Sequence, residues 1–171
     1  MRRYATIQKA RDASVVGLVV GTLGIHAYLP LLKELRRILT SRGSRRKVYT
    51  ISVGKLNPTK LANFLEIDVF VLVACHENSL LDTRDFMRPV VTPWEMMLAV
   101  QARGGQEVPW TGAYVLDFAN VMRDASHMDT ESAQDSDEDE QPHYSFATGT
   151  YVTRTKYGTS SSGSETDTTS R

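Results

Sequence analysis

The apolar residues of this chain fall into two alternating patterns. In SVVGLVV (residues 14–20) they are continuous and β-branched, so both faces of an extended segment are apolar. A strand buried on both faces of a parallel sheet reads this way. IDVFVLVA (67–74) repeats the pattern and predicts a central strand, KVYTISVG (47–54) predicts another, and RPVV (88–91) a fourth. Between them the spacing becomes helical. In HAYLPLLKELRRIL, Tyr28, Leu31, Leu32, Leu35, Ile38 and Leu39 share one face, and Lys33, Glu34, Arg36 and Arg37 lie opposite. Pro30 fits only a first turn, so this helix should begin near residues 27–29, and Gly43 is a plausible stop. NPTKLANFL offers Asn57 as N-cap and Pro58 as first helical residue. In TPWEMMLAVQ, Thr92 caps, Pro93 fills the first position and Glu95 completes a capping box. GAYVLDFANVM predicts a further helix with Tyr114, Phe118, Val121 and Met122 on one face. Residues 3–12 read as a short polar helix or a linker, and Trp94 with Met96 and Met97 as packing residues. The alternation predicts an α/β domain with a mainly parallel sheet flanked by helices.

Composition adds a boundary. The chain has 171 residues, 41% of them hydrophobic and 23% charged, which suits one domain with a tail. Residues 129–140, DTESAQDSDEDE, hold seven acids and no base, and TSSSGSETDTTSR ends the chain. Neither can support a core. We expect residues 1–125 to form the α/β domain and 126–171 a mostly disordered tail. YSFATGTYVTRTKYG, richer in Tyr and Thr, would form a strand or a docking segment within it. Lys+Arg and Asp+Glu both total 20, yet residues 1–50 hold eleven Lys/Arg against Asp12 and Glu34. Scattered helix-surface charge accounts for most of that excess, and no direct nucleic-acid partner is expected. Residues 13–32 carry no charge and could span a membrane by length. Their three glycines and one proline fit strand, turn and helix start better. No secretory signal is visible behind the basic start, and a cytoplasmic location is expected.

In a parallel sheet, ligands gather beyond the carboxyl ends of the strands. Three loops should emerge there: GTLG (21–24), GKLNP (54–58) and CHENS (75–79). Gly21, Thr22 and Gly24 are the candidate cofactor-binding residues, since glycine lets backbone N–H groups approach a ligand. Their spacing matches neither a P-loop nor a dinucleotide fingerprint, and ordinary turn glycines would read the same. The single cysteine, Cys75, sits at the same edge. It is either a small buried hydrophobe or a residue kept for its sulfur. Adjacent His76 would point away from it in an extended chain, so a Cys–His dyad is disfavoured. Zinc ligand spacing is lacking. A ligand to a cluster shared with cysteines from elsewhere stays open. His26, His127 and His143 read as solvated. Arg84 and Arg88 could hold a carboxylate or simply lie on the surface.

RRY…KARDASVVGLVVGTLG, GKLNPTKLANFLEIDVFVLVACHENSLLD and FMRPVVTPWEMMLAVQ resemble the C-terminal third of the second subunit of eukaryotic diphthamide synthase, 2-(3-amino-3-carboxypropyl)histidine synthase. The likeness runs from about Arg2 to Met122, with the motifs in family order. It implies three similar α/β domains per subunit, each offering a cysteine to one central 4Fe–4S cluster. Cys75, in VLVAC, matches the third domain's metal ligand. Many relatives carry proline after this cysteine; here it is His76. The family cleaves S-adenosylmethionine through the cluster and attaches a 3-amino-3-carboxypropyl group to a histidine of translation elongation factor 2. The resemblance further implies a heterodimer with subunit 1, an electron-donor protein, and a supporting role that keeps the partner's cluster reduced. The matching two domains and their cysteines are absent from these residues. The chain is therefore expected to be a fragment or a short form, inactive alone, and to expose apolar surface where neighbours would sit. The alternatives are a docking module that binds subunit 1 without a cluster, and a flavodoxin-like nucleotide-binding domain.

Overall fold

The computed structural model describes residues 2–21, 28–41, 46–54, 56–74, 84–102, 112, 114–115, 117, 120–121, 123 and 142–152. In chain order these form α1 (Arg2–Asp12), β1 (Val15–Val20), α2 (Tyr28–Ser41), β2 (Lys47–Ser52), α3 (Pro58–Ala62), β3 (Val69–Val73), β4 (Val90–Val91), α4 (Pro93–Gln101), β5 (His143–Ser145) and β6 (Thr150–Val152). The first four strands make one sheet of order β2-β1-β3-β4, parallel at every pairing. β1 and β3, the two strands with continuous apolar runs, occupy its centre and are fully buried. β2 is an edge strand and is partly exposed along its length.

Successive strand residues face opposite sides, and the two sides are covered very differently. Val16, Leu18, Val69, Val71 and Val91 pack beneath α1, α2 and α4, with Ile7, Leu31, Leu35, Leu39, Met96 and Val100 over them. Among the described residues, Val15, Val19, Phe70, Leu72 and Val90 pack with Leu61 of the five-residue α3, Ile67 and Ala74, and with Tyr49 and Ile51 of β2 and the loop residues Val53, Leu56 and Phe86. On this thin face Gly17 sits mid-strand. A Cβ there would lie 2.9 Å from Ile67 Cδ1 and 3.0 Å from Phe70 Cδ1. Glycine is thus what lets the Ile67 and Phe70 side chains cross the sheet where a helix would otherwise lie.

The capping signals act as read. Asn57 Oδ1 accepts from Thr59 N at 2.9 Å, with Pro58 following. Thr92 and Glu95 form a complete capping box at the start of α4. Two expectations are corrected. Of the two readings of residues 3–12, the short polar helix holds and the linker does not, and the helix is partly buried: Ile7, Gln8, Ala10 and Arg11 of α1 are covered. Their polar members are covered by residues distant in sequence. The helix expected over GAYVLDFANVM does not include Tyr114 and Val115; among the described residues only 120, 121 and 123 are helical. Gly112 has φ +83°, a left-handed turn. Tyr114 then packs on Trp94 with ring centroids 5.1 Å apart. Phe118 and Met122 lie outside the described residues.

The Tyr- and Thr-rich segment expected as a strand or docking segment contains an antiparallel hairpin, β5–β6. It is fastened to the end of α1. Arg11 Nη2 donates to the Tyr144 carbonyl at 3.0 Å, and the buried Ser145 hydroxyl donates to the Asp12 carboxylate. Arg46, also buried, donates to the Arg11 carbonyl at 2.8 Å.

Candidate functional site

The carboxyl edge of the sheet is where three chains leave side by side. Gly21 N donates to the Val73 carbonyl at 3.1 Å, and Val53 N to the Val20 carbonyl at 3.0 Å. β1, β2 and β3 therefore end at one level, at Gly21, Val53 and Ala74. Ala74 is buried, and Cys75 is the next residue in the chain. Cys75 itself, His76, Thr22, Gly24 and His26 lie outside the described residues. Of the candidate cofactor-binding residues only Gly21 is described. A Cβ on it would stand 3.6 Å from Ala74 Cβ and 3.8 Å from Leu72 Cδ1, which is ordinary contact. Sterics do not demand this glycine as they demand Gly17.

Among the described residues no group of three or more His, Cys, Asp or Glu is placed to hold a metal. The chain carries a single cysteine. Its own donors thus amount to one thiolate, whereas an iron–sulfur cluster is held by several. A cluster does not fit this chain's residues by themselves.

A second polar centre, missed in the sequence, lies just beyond the carboxyl end of β4, between α1 and α4. Arg3 reaches from α1 to Glu95 at the start of α4. Its Nε donates to Glu95 Oε1 at 2.7 Å and its Nη2 to Oε2. Glu95 is fully buried and also accepts from Thr92 N at 2.8 Å. Tyr114 closes the group, its hydroxyl 3.3 Å from both Arg3 Nη2 and Thr92 Oγ1. Burial on its own would favour a neutral Arg3, but the bond and charge of Glu95 outweigh it and raise the guanidinium above its ordinary value. Burial, helped by the Glu95 charge, raises the Tyr114 phenol. All of these groups face one another, so this is a clamp between helices, not an open site. The Glu95 capping box was legible; its partner Arg3, 92 residues away, was not.

Of the two arginines read as carboxylate holders or simply surface residues, both are exposed, and Arg88 donates to the Leu65 carbonyl at 3.1 Å. His143 opens β5 and pairs with Val152; His127 lies outside the described residues. Also unforeseen is a groove of about 200 Å³ on the thin face. It is lined by residues of α3, the turn after it and residues 86–88, with Phe70 among them. None of the described helices is long and apolar enough to cross a membrane.

Comparison with known proteins gives the family. Residues 1–115 match the family model of diphthamide synthesis proteins. The chain is similar to 2-(3-amino-3-carboxypropyl)histidine synthase subunit 2 of Schizosaccharomyces pombe, 43% identical over 90% of this chain and 30% of that protein. The subunit 2 of Danio rerio is 48% identical over 87% of this chain and 29% of its own length. That of Gallus gallus is 52% identical over 71% of this chain and 24% of its own. A solved structure, Dph2 from Pyrococcus horikoshii with a 4Fe-4S cluster, is 29% identical with a TM-score of 0.49, covering 63% of this chain and 30% of that one. The chain spans about a third or less of the length of these relatives. With two thirds of its residues inside the family match, and that match running through β1, the VLVAC strand and α4, the chain belongs to the diphthamide synthesis protein family.

Proposed function

We propose that this chain acts as part of the synthase that starts diphthamide formation, the transfer of a 3-amino-3-carboxypropyl group from S-adenosylmethionine to a histidine of translation elongation factor 2. The observation that carries the reading is its identity to proteins named subunit 2 of the histidine synthase, at 43–52% over most of the chain. Within it Cys75 contributes one thiolate to a 4Fe–4S cluster. The buried β3 that ends at Ala74 supports this, because a rigid central strand is a good mount for a ligand at the next residue. The remaining thiolates come from outside this chain, so it is inactive alone. A 4Fe–4S cluster supplies the electron for reductive cleavage of S-adenosylmethionine; this chain's part is to hold one corner of it. Its partners are subunit 1, elongation factor 2 and an electron-donor protein, its role is the supporting one, and its place is the cytoplasm.

The test uses the family-length subunit carrying this segment, with Cys75→Ala. Iron content per subunit should fall, and mass spectrometry of elongation factor 2 should show loss of the modified histidine. Unchanged iron and modification would sink the cluster role. The single cysteine also favours a second reading, a module that docks on subunit 1 without a cluster. Co-purification of this chain with subunit 1, free of iron and unaffected by Cys75→Ala, would select it.

A further inference from the structure

The groove on the thin face lies beside the residues that lead into β3 and β4, at the amino end of the sheet, whereas Cys75 follows the carboxyl end of β3. Phe64, Phe70, Phe86 and Met87 supply apolar walls. At about 200 Å³ it is smaller than the roughly 300–1,000 Å³ of a drug-sized ligand pocket, and it holds about one large side chain. Leu65 and Met87 line it and are 70% and 78% exposed. One lining residue is charged. Arg88 Nη2 donates to the Leu65 carbonyl at 3.1 Å, which holds the guanidinium beside the hollow. Among the described residues no carboxylate pairs with it. A guanidinium carries several N–H donors in a flat fork, and one carbonyl occupies only part of it.

We propose that this groove docks a peptide segment of a partner protein in which a bulky apolar residue is followed by an aspartate or glutamate. The apolar side chain enters among Phe64, Phe70 and Phe86, where ring-on-ring and thioether contacts favour an aromatic one. The carboxylate meets Arg88 in a charge-assisted hydrogen bond. Because Arg88 lines the same hollow, the acid must stand next to the anchor in sequence, where Cα atoms are about 3.8 Å apart. The size and charge of the site argue for this occupant. An amphipathic helix needs anchors over two or more turns, which a hollow for one side chain does not offer. A wholly apolar ligand would leave the guanidinium unanswered. The two readings of Arg88 in the sequence, carboxylate holder or surface residue, are thereby resolved toward the first. The site is separate from the one proposed for Cys75 and stands or falls without it.

Nuclear magnetic resonance titration of the full 171-residue chain with the peptide acetyl-Gly-Phe-Asp-Gly-amide decides this. Amide shifts should saturate and centre on the groove residues 61–65 and 86–88. Acetyl-Gly-Ser-Asp-Gly-amide should bind about tenfold or more weakly, because it lacks the apolar anchor. Acetyl-Gly-Phe-Asn-Gly-amide should bind about threefold more weakly, the scale of an exposed ion pair, and the difference should shrink at high salt. In Arg88→Gln the Asp and Asn peptides should bind alike. Met87→Ser should weaken both peptides by the same factor. Arg88 and Met87 are exposed, so far-ultraviolet circular dichroism of both variants should be unchanged. Shifts that never saturate, shifts centred elsewhere, or equal binding of the Asp and Asn peptides to the unaltered chain would each overturn the proposal. So would shifts of the groove residues on diluting the chain without peptide, since a second copy would then be the occupant.

Discussion

Replacing Arg3 by methionine tests whether the clamp between α1 and α4 stabilises the fold as its geometry implies. Methionine keeps an apolar stem of similar length and removes the charge. Glu95, fully buried, would then keep the Thr92 N–H and the neighbouring Tyr114 hydroxyl but lose its cation. Removing one partner of a buried ion pair costs about 3–5 kcal/mol. The Arg3 side chain is 27% exposed, so water can enter part of the vacated space, and the lower end, about 3 kcal/mol, is expected. Small domains are stable by about 5–15 kcal/mol, so this is a large fraction. Glu95→Gln is the milder change. Its carbonyl can still accept from Thr92 N, and Arg3 can turn toward solvent, so about 1.5 kcal/mol is expected.

The double variant Arg3→Met with Glu95→Met removes both charges and leaves no stranded carboxylate. It still loses the reciprocal half of the capping box, worth about 1 kcal/mol. Its total, about 2 kcal/mol, should be smaller than the Arg3→Met loss alone; set against the single Glu95→Met at about 1.5 kcal/mol, the coupling between the positions is about 2.5 kcal/mol. Urea unfolding followed by tryptophan fluorescence reports on this directly, because Trp94 lies against Tyr114 within the clamp. If Arg3→Met moved stability by less than about 0.5 kcal/mol, or if the two single changes simply added, the clamp would be a solvated surface pair and the reasoning would be wrong.

Other consequences follow from the same contacts. Tyr114, raised by burial and by Glu95 above its ordinary 10.0, keeps its proton in the fold when the unfolded chain has lost it. Its contribution to stability is therefore constant below pH 10 and is lost as pH rises from the unfolded value through the higher folded one. A phenolate absorbance titration of Tyr114→Phe should lack one phenol that titrates above the ordinary range, and its unfolding midpoint should fall less steeply in alkali. Gly17→Ala places a methyl 2.9 Å from Ile67 Cδ1 and 3.0 Å from Phe70 Cδ1, both side chains buried. Overpacking of about 2–3 kcal/mol set against a strand gain of about 0.5–1 leaves a net loss of about 1–2 kcal/mol. Gly21→Ala, with contacts at 3.6 and 3.8 Å, should be nearly neutral in the same thermal melts. Ser145→Ala removes a buried hydroxyl that donates to Asp12 and accepts from Thr148 N at 3.2 Å. Limited proteolysis should then cut the hairpin sooner while the global urea midpoint stays put, since opening there is local.

What the chain discloses about itself depends on how far apart the cooperating residues are. β1 and β3 were legible because burial on both faces requires an unbroken apolar run, and that run is local. Asn57 and Thr92 were legible because a cap is satisfied within three residues. The helix α1 was legible as one of two readings, but its burial was not, because Arg11 is bonded to groups 35 and 133 residues away. Tyr114 was misread for a related reason. Its helical spacing is real in the sequence, but Gly112 turns the backbone and Trp94, Thr92 and Arg3 hold the ring. The carboxyl edge of the sheet was legible as a place, through strand order. The groove was not, since Phe64, Leu65 and Met87 belong to no periodic face.

Gly17 connects the ligand edge to the thin face. The role proposed for Cys75 requires that β3, the strand before it, be held rigidly, and β3 is held from both sides. On the thick side, α4 lies over it, anchored by Arg3 and Glu95. On the thin side, Ile67 and Phe70 cross β1, and they reach it only because residue 17 lacks a Cβ. Phe70 is also a wall of the groove. A strained Gly17→Ala chain should therefore disturb the groove wall at Phe70 and leave the Arg3–Glu95 clamp untouched. An Arg3–Glu95 coupling unchanged in the Gly17→Ala background would show that the thin face absorbs the packing change by itself. Loss of that coupling would mean that the two faces respond as one body.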